Sequence, residues 1–197
     1  MFKPGSSQIP LRAFTNHSVI CCLLSGGLDS SLICGIISKL YKEKGIENKL
    51  KTFSIGIKGS TDLVYAQNVA DYINSEHHNI ECTEEEFLNA IPEVIYNIES
   101  YDTTTVRASV GNYLVAKYIK ENTDIVVLFN GDGSDEQSGY KYLRNAPNDN
   151  EFHWECVKLL REIHYFDVLR SDRCISSNWG LETRTPFLDK EFVEFYM

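Results

Sequence analysis

Apolar runs and amphipathic segments alternate along the first part of the chain. Residues 19–24 (VICCLL) are continuously apolar, which is typical of a strand buried on both faces of a sheet. Residues 30–41 then carry apolar side chains at helical spacing, and Gly45 is a candidate C-terminal cap. A strand, a glycine turn and a helix in this order predict half of a βαβ unit.

The same alternation continues as far as residue 129. Further elements are predicted as strands at 51–57, 78–82 and 124–129, and as helices at 62–73 and 111–122. Thr83 and Glu86 have the spacing of a capping box and predict a helical region that extends to about Glu99. We expect Pro92 in the first turn of a helix, because proline is disfavoured in a helix interior.

Strands that alternate with helices imply an α/β fold with a doubly wound, mostly parallel sheet and helices on both faces. From residue 150 the pattern is helical only, with a stripe that we interpret as core packing: Phe152, Val157, Leu160, Ile163, Phe166 and Leu169. Asp189 is a candidate cap for a last helix of barely two turns. We therefore expect a loosely ordered leader at 1–18, an α/β domain at 19–149 and a partial, truncated helical extension at 150–197.

Composition and charge narrow the functional classes. The 19 basic and 28 acidic residues give a net charge of −9, which disfavours nucleic acid and anionic membranes as partners. No apolar run approaches the roughly 18–20 residues of a membrane span. Six scattered cysteines lack metal-site or disulfide spacing, which favours a reducing compartment. We expect a soluble, cytoplasmic protein that acts on small molecules.

The first glycine-rich loop, Ser25–Ser31 (SGGLDSS), follows the first predicted strand. Its glycines permit close approach of a ligand, and its hydroxyls and the free N–H groups of the helix start favour an anion. Asp29 would repel a phosphate unless a divalent cation lies between them, so we predict a magnesium-bridged pyrophosphate. The alternative is a surface turn with a serine-rich helix cap.

A second acidic segment, 130–136 (NGDGSDE), follows the strand at 124–129. Because the carboxyl ends of parallel strands meet at one edge of the sheet, its carboxylates should lie near Asp29. A Walker A motif is absent, and Glu136 occupies the third glycine position of a dinucleotide fingerprint. The adjacent His77 and His78 should face opposite sides of a strand, which favours structural roles over a metal site.

The first loop resembles the pyrophosphate loop of ATP pyrophosphatases, which have a fold like that of adenine nucleotide alpha hydrolases and cleave ATP between the α- and β-phosphates. Six segments together resemble the synthetase domain of glutamine-dependent asparagine synthetases over residues 23–196: SGGLDSS, TFSIGI, TTTVRAS, GDGSDE, YKYLRNAPN and WGLETRTPFLD. β-Lactam synthetases share the loop and parts of the rest. The resemblance implies that ATP adenylates the side-chain carboxylate of aspartate, and that ammonia then displaces AMP to give asparagine.

The resemblance also implies residue roles. The pyrophosphate loop includes Ser25, Gly26, Gly27, Asp29 and Ser30, and magnesium is held by Asp29 and Asp135. The positions of the adenosine pocket are Leu24, Ile55, Asn130 and Gly131. The aspartate side and the catalytic step involve Thr104, Thr105, Arg107 and Asp132. A surface ion pair is the alternative for Arg107, whose planar fork suits a carboxylate, and Glu182 with Arg184 could be a structural pair.

Three departures from the family leave alternatives open. Residues 130–133 read Asn-Gly-Asp-Gly where the family usually has Ser-Gly-Glu-Gly. Aspartate is one methylene shorter than glutamate, so a catalytic role of Asp132 requires its backbone to lie closer to the substrate. No segment before residue 23 matches a glutaminase domain, and the family's catalytic lysine lies beyond Met197. An incomplete ATP-binding module or a related adenylating enzyme therefore remains possible. Ammonia or glutamine as nitrogen donor stays open, as does a homo-oligomer.

Overall fold

A five-stranded parallel sheet in the order β3-β2-β1-β4-β5 organises the chain. The computed structural model describes residues 20–165 and 169–197. The strands are β1 (Ile20–Leu23), β2 (Lys51–Ile57), β3 (Glu76–Cys82), β4 (Val127–Phe129) and β5 (Glu182–Arg184). Predicted strand 51–57 is confirmed in full, whereas β3 begins two residues early and β4 pairs over only three residues.

Seven α-helices occur in the described part of the chain. They are α1 (Leu28–Glu43), α2 (Thr61–Ile73), α3 (Glu84–Ile98), α4 (Thr103–Asn122), α5 (Ser134–Ser138), α6 (Asp149–Glu162) and α7 (Lys190–Tyr196). Short 3₁₀ turns lie at Lys141–Asn145, Ile163–Tyr165 and Pro186–Leu188, and a π-helix lies at Leu169–Ser177. None of the helices described is long and apolar enough to cross a membrane.

Two hydrophobic cores, one on each face of the sheet, confirm the doubly wound α/β prediction. Cys22 belongs to the core formed with α1 and α2, whereas its neighbour Cys21 belongs to the core formed with α3, α4 and the π-helix. Both cysteines are fully buried, because successive residues of a strand point to opposite faces. All six cysteines of the chain are free thiols.

The strand order reverses between β1 and β4. From β1 the chain proceeds outward through β2 to β3, and the later strands β4 and β5 lie on the other side of β1. Ligands of such sheets bind outside the carboxyl ends of the strands at this switch point. The register pairs Cys22 with Phe129, so the loops after β1 and β4 leave the sheet side by side.

The predicted helix ends are confirmed by their backbone hydrogen bonds. After α1, Gly45 has φ +65, its N–H donates to the Lys42 carbonyl, and the Ile46 N–H donates to the Tyr41 carbonyl, which is a Schellman motif. Thr83 and Glu86 form the predicted capping box at the start of α3. Asp189 caps α7 by accepting two backbone N–H groups.

Pro92 lies inside α3, so its predicted place in a first turn is wrong. The missing N–H removes one helical hydrogen bond, a change that costs about 3 kcal/mol in an isolated helix. Ala90, Val94 and Ile98 are buried along the same helix against α4. This packing holds the helix continuous through the proline.

The prediction of helices only after residue 150 is also wrong, because Glu182–Arg184 forms β5 beside β4. This strand has three polar residues and carries no apolar run. Within the predicted core stripe, Phe152, Val157, Leu160 and Ile163 are half-exposed, and Cys156 is the buried residue of α6. Phe166, the predicted leader 1–18 and Val19 lie outside the described residues, and the three-segment division stays a prediction.

Candidate active site

A cavity of about 780 Å³ opens at the carboxyl ends of β1 and β4. Its walls come from the β1–α1 loop, the start of α4 and the β4–α5 loop, together with Tyr140, Tyr165 and Arg170. The volume falls within the roughly 300–1,000 Å³ of small-molecule sites. The predicted convergence of the two acidic loops therefore occurs at a cavity large enough for a ligand.

The β1–α1 loop is a tight turn held by its own serines. The Ser25 and Ser30 hydroxyls lie 3.0 Å apart, and the Ser31 hydroxyl donates to the Gly27 carbonyl at 2.6 Å. Gly27 is the N-cap residue of α1 and makes no side-chain cap hydrogen bond. The first N–H groups of α1 thus present partial positive charge at the cavity, as an anion site requires.

The β4–α5 loop packs directly on the first loop. A Cβ at Gly131 would lie 3.0 Å from the Ser30 nitrogen, and the Ser134 hydroxyl donates to Asp29 Oδ1 at 2.8 Å. Gly133 has φ +91, and a Cβ there would lie 2.3 Å from Leu188 Cδ2. The loop is therefore held between the start of α1 and the 3₁₀ turn after β5.

Asp29 and Asp135 interact electrostatically where these two loops meet. Desolvation is the largest cause that raises the pKa of Asp135, followed by the negative charges of Asp29 and Glu136, while Arg170 opposes the shift. Two carboxylates in this arrangement repel each other and fit a divalent cation. Among the described residues no group of three or more metal-binding side chains occurs, so a cation here would need ligands from phosphate or water.

Asp132 is held by two partners within the cavity wall. The Asn130 side-chain amide donates to Asp132 Oδ2 at 2.9 Å, and Asn130 Oδ1 accepts the Asp132 N–H at 3.3 Å. The Arg170 guanidinium lies 3.7 Å from Asp132 Oδ1. The two carboxylate oxygens therefore have different partners.

The start of α4 supplies the opposite wall. Asp102 caps this helix by accepting both the N–H and the hydroxyl of Thr105, and the backbone bond is the main cause of a lowered Asp102 pKa. Thr105 is buried, whereas Thr104 and Arg107 are exposed at the cavity. The Arg107 side chain lies on the cavity wall, and its predicted role there stays a prediction.

Most of the sequence-predicted site residues line this one cavity: Ser25, Gly27, Asp29, Ser30, Thr104, Thr105, Arg107, Asn130, Gly131, Asp132 and Asp135. Three lie elsewhere. Leu24 is buried in the core with α1, Gly26 packs against α2, and Ile55 packs against the opposite core. The assignment of Leu24 and Ile55 to an adenosine pocket stays a prediction.

Other predicted pairs have structural contacts. Glu182 and Arg184 form an ion pair on β5, outside the cavity wall. His77 hydrogen-bonds to Thr52, and His78 stacks on Phe53 with ring centroids 4.7 Å apart. Both histidines therefore pack within the protein, as predicted.

Some cavity residues lie outside the motifs identified in the sequence, among them Asp102, Tyr165 and Arg170, whereas Ser134, Glu136 and Tyr140 lie within those motifs without an assigned role. Glu136 is 1% exposed and hydrogen-bonds to the Tyr140 hydroxyl one helical turn later. Its place in the motif NGDGSDE could have indicated the site. Arg170 comes from the π-helix, 38 residues beyond Asp132 in sequence, and only tertiary folding joins them.

The family model described as asparagine synthase matches residues 12–151 and 140–197. The chain belongs to the asparagine synthase family. It is 51% identical over 182 residues to the asparagine synthetase [glutamine-hydrolyzing] of Gallus gallus, covering 92% of this chain and 32% of the relative. For the Homo sapiens protein of the same name, identity is 51% over 193 residues, covering 98% and 34%. The chain thus spans about a third of these relatives.

Among solved structures, the chain is similar to a predicted subunit of a tRNA methyltransferase from Methanocaldococcus jannaschii. The TM-score is 0.45 at 15% identity, with 89% of this chain and 72% of that chain covered. The NMN synthetase of Francisella tularensis gives a TM-score of 0.42 at 13% identity, with 94% and 85% covered. The fold of the present chain is established by its own strand order and register.

Proposed function

We propose that this chain is the ATP-dependent ligase part of an asparagine-forming enzyme. It would couple cleavage of ATP to AMP and pyrophosphate with amidation of the aspartate side chain. The supporting observation is that the β1–α1 and β4–α5 loops meet at the switch point of the sheet, with Asp29 beside Asp135. Membership of the asparagine synthase family supports this reaction class.

ATP would bind with its β- and γ-phosphates at the start of α1. The open N–H groups there and the Ser25 and Ser30 hydroxyls are donors that suit pyrophosphate oxygens. Asp29 and Asp135 would hold Mg²⁺, and the repulsion between them supports that role. Bound magnesium would offset negative charge on the departing pyrophosphate.

Aspartate would bind between the start of α4 and the acidic loops. Arg107 is the exposed cation on that wall, and its planar fork suits a substrate carboxylate. An oxygen of the side-chain carboxylate of the substrate would attack the α-phosphorus of ATP. The bond between the α-phosphorus and the oxygen that bridges it to the β-phosphorus would break with loss of pyrophosphate. The product is β-aspartyl-AMP.

Ammonia would then attack the carbonyl carbon of β-aspartyl-AMP, and the carbon–oxygen bond to AMP would break. The nitrogen must lose one proton in this step, which requires a base in the cavity. Asp132 is our candidate among the cavity carboxylates, because Asp29 and Asp135 would hold the cation, Asp102 caps α4 and Glu136 is only 1% exposed. The nitrogen could arrive as free ammonia or be released from glutamine by a separate domain.

Aspartate-dependent exchange of labelled pyrophosphate into ATP tests this proposal. We expect exchange to require aspartate and magnesium, and Asp29→Asn or Asp135→Asn to reduce it at least a hundredfold, since each removes a charged metal ligand. Asp124→Asn is the matched control, because Asp124 is exposed before β4, at the opposite end of that strand. Equal exchange in all three variants would refute the metal assignment.

An incomplete ATP-binding module is the second candidate, because the chain spans about a third of its relatives. Calorimetry separates the two. Magnesium-dependent ATP binding without aspartate-dependent exchange favours the module, whereas exchange favours the ligase. The β-lactam alternative is not favoured, since the curated relatives above are named asparagine synthetases.

We also infer a cytoplasmic location. All six cysteines are free, and five of them are buried. Thiols persist in a reducing compartment, where disulfides are rare. Labelling the thiols of the native protein as isolated from its own cells would check this, since disulfide-linked cysteines would contradict the inference.

A further inference from the structure

Asp132 is the cavity carboxylate whose two oxygens contact two different parts of the chain. We propose that Asn130 and Arg170 are positioning residues that fix the orientation of the Asp132 carboxylate for proton transfer. This inference rests on the proposed function, because it gives the geometry behind the base assigned there. It assigns side-chain roles that the resemblance does not supply, since Asn130 was expected only at an adenosine pocket.

Asn130 is held firmly enough to position another residue. Its side chain is 3% exposed, and its backbone N–H donates to the Arg184 carbonyl at 3.0 Å, next to the pairing of β4 with β5. Both ends of its side-chain amide contact Asp132, one as a donor and one as an acceptor. The amide nitrogen of Asn130 therefore holds the Asp132 carboxylate, and the amide oxygen holds the Asp132 backbone N–H.

Arg170 constrains the carboxylate from the other side. Its guanidinium approaches Oδ1, whereas Asn130 binds Oδ2, so rotation of the carboxylate would disturb both contacts. The side chains of Arg170 and Asp132 are only 21% and 19% exposed. Solvent screens such a pair less than an ion pair on the surface, so the attraction is retained.

The short Asp132 side chain makes the Asn130 amide important. An aspartate carboxylate stays near the backbone, within reach of an amide two residues earlier. Serine at position 130 would replace the amide donor with a hydroxyl on a shorter side chain, which reaches less far toward Asp132. Glutamate at position 132 would extend its carboxylate by one methylene. Asn130 and Asp132 thus behave as a matched pair, because changing either residue alone removes the geometry that orients the carboxylate.

A double-mutant cycle with Asn130→Ser and Asp132→Glu tests the pair. Loss of one hydrogen bond to a charged group should lower kcat for asparagine formation about tenfold in Asn130→Ser, with the KM for ATP within about twofold. Asp132→Glu alone should also lower kcat. The double variant should recover much of the loss, because the shorter serine leaves room for the longer carboxylate that Asn130 would displace.

The role of Arg170 is tested with two substitutions, one that removes its charge and one that keeps the charge on a different side chain. Arg170→Gln should lower kcat about tenfold, and Arg170→Lys should restore part of it, since lysine keeps the charge without the planar fork. Asn89→Ser and Arg161→Gln are matched controls, because both side chains are exposed on helices outside the cavity wall. Both controls should retain the kcat of the parent chain.

Crystal structures of the variants keep the inference separate from the proposed function. If the parent chain catalyses no exchange, the proposed function fails, and the positioning is still read from the Asp132 carboxylate, which should rotate in Asn130→Ser. The inference would be overturned if the Asp132 carboxylate kept its orientation in Asn130→Ser, or if active Asn130→Ser kept the kcat of the parent chain. It would also be overturned if the loss of kcat in the double variant equalled the sum of the losses in the two single variants, expressed as free energies. A fall in melting temperature that accounts for the lost activity would do so as well.

Discussion

At the scale of single residues, the β1–α1 and β4–α5 loops depend on glycines that allow close backbone contact. Gly26 has φ +80, and a Cβ there would lie 2.6 Å from the Ala66 nitrogen in α2. A Cβ at Gly131 would lie 3.0 Å from the Ser30 nitrogen in the first turn of α1, so the β4–α5 loop also contacts the β1–α1 loop closely. The positions of Asp29 and Asp135 therefore follow from how closely the backbones approach.

Gly26→Ala should be much more destabilising than Gly45→Ala. Both substitutions place a side chain at positive φ, which costs about 1–2 kcal/mol, but only position 26 adds overlap with backbone atoms, about 1–3 kcal/mol more. Gly45 has no atom within 4 Å of the added Cβ and is the matched control. Urea unfolding measures both, and equal losses would contradict the close packing of the loop on α2.

At the scale of elements, helix starts decide where the site residues lie. With Asp102 as its cap, α4 begins at Thr103, eight residues earlier than predicted. Thr104, Thr105 and Arg107 therefore occupy the first two turns of a helix and line the cavity. Thr83 caps α3 on the same face of the sheet. Ser60 stands at the equivalent position of α2 without a side-chain cap hydrogen bond.

Thr83→Ala should reduce the free energy of unfolding by about 1 kcal/mol, because it removes the acceptor for the Glu86 N–H. Ser60→Ala is the matched control and should cost a few tenths of a kcal/mol, since its hydroxyl makes no such bond. Chemical denaturation of both variants is the measurement. A larger loss for Ser60→Ala would show that the capping geometry is wrong.

At the scale of the whole molecule, a cluster of polar side chains lies on β2 and β3, at the edge of the sheet that β3 forms: Thr52, Ser54, His77 and Asn79. His77 contacts Thr52 and Ser54, whose side chains are buried, and also Asn79. Desolvation lowers the pKa of His77 below its ordinary value of 6.5. Folding therefore favours the neutral ring at this end of the sheet, away from the β1–β4 cavity.

The chain should lose stability in acid partly through His77. Above pH 6.5 the ring is neutral in both states, and as pH falls toward the lower folded pKa the unfolded chain binds the proton first. The slope from this ring stays below about 1.4 kcal/mol per pH unit, because the folded and unfolded states differ by at most one proton on it. His77→Gln should flatten this part of the stability curve, and an unchanged curve would contradict the assignment.

Local patterns determined much of the fold before any tertiary contact was known. The bounds of β2 and α2, the Schellman motif at Gly45 and the capping box at Thr83 all follow from hydrophobic spacing and cap residues. These signals act within a few residues, so the sequence carries them directly. The same holds for the two acidic loops, each of which directly follows a buried strand.

Tertiary structure alone decided the features that need distant partners. The polar strand β5 exists because β4 supplies its hydrogen bonds, and Pro92 stays inside α3 because packing on α4 offsets the missing bond. Ser134 meets Asp29 across 105 residues of sequence, and Arg170 reaches Asp132 from another element. The sequence by itself determined which residues are candidates for the chemistry, because the motifs that contain them are local. Only the folded chain determined which of them contact one another, because those contacts depend on long-range packing.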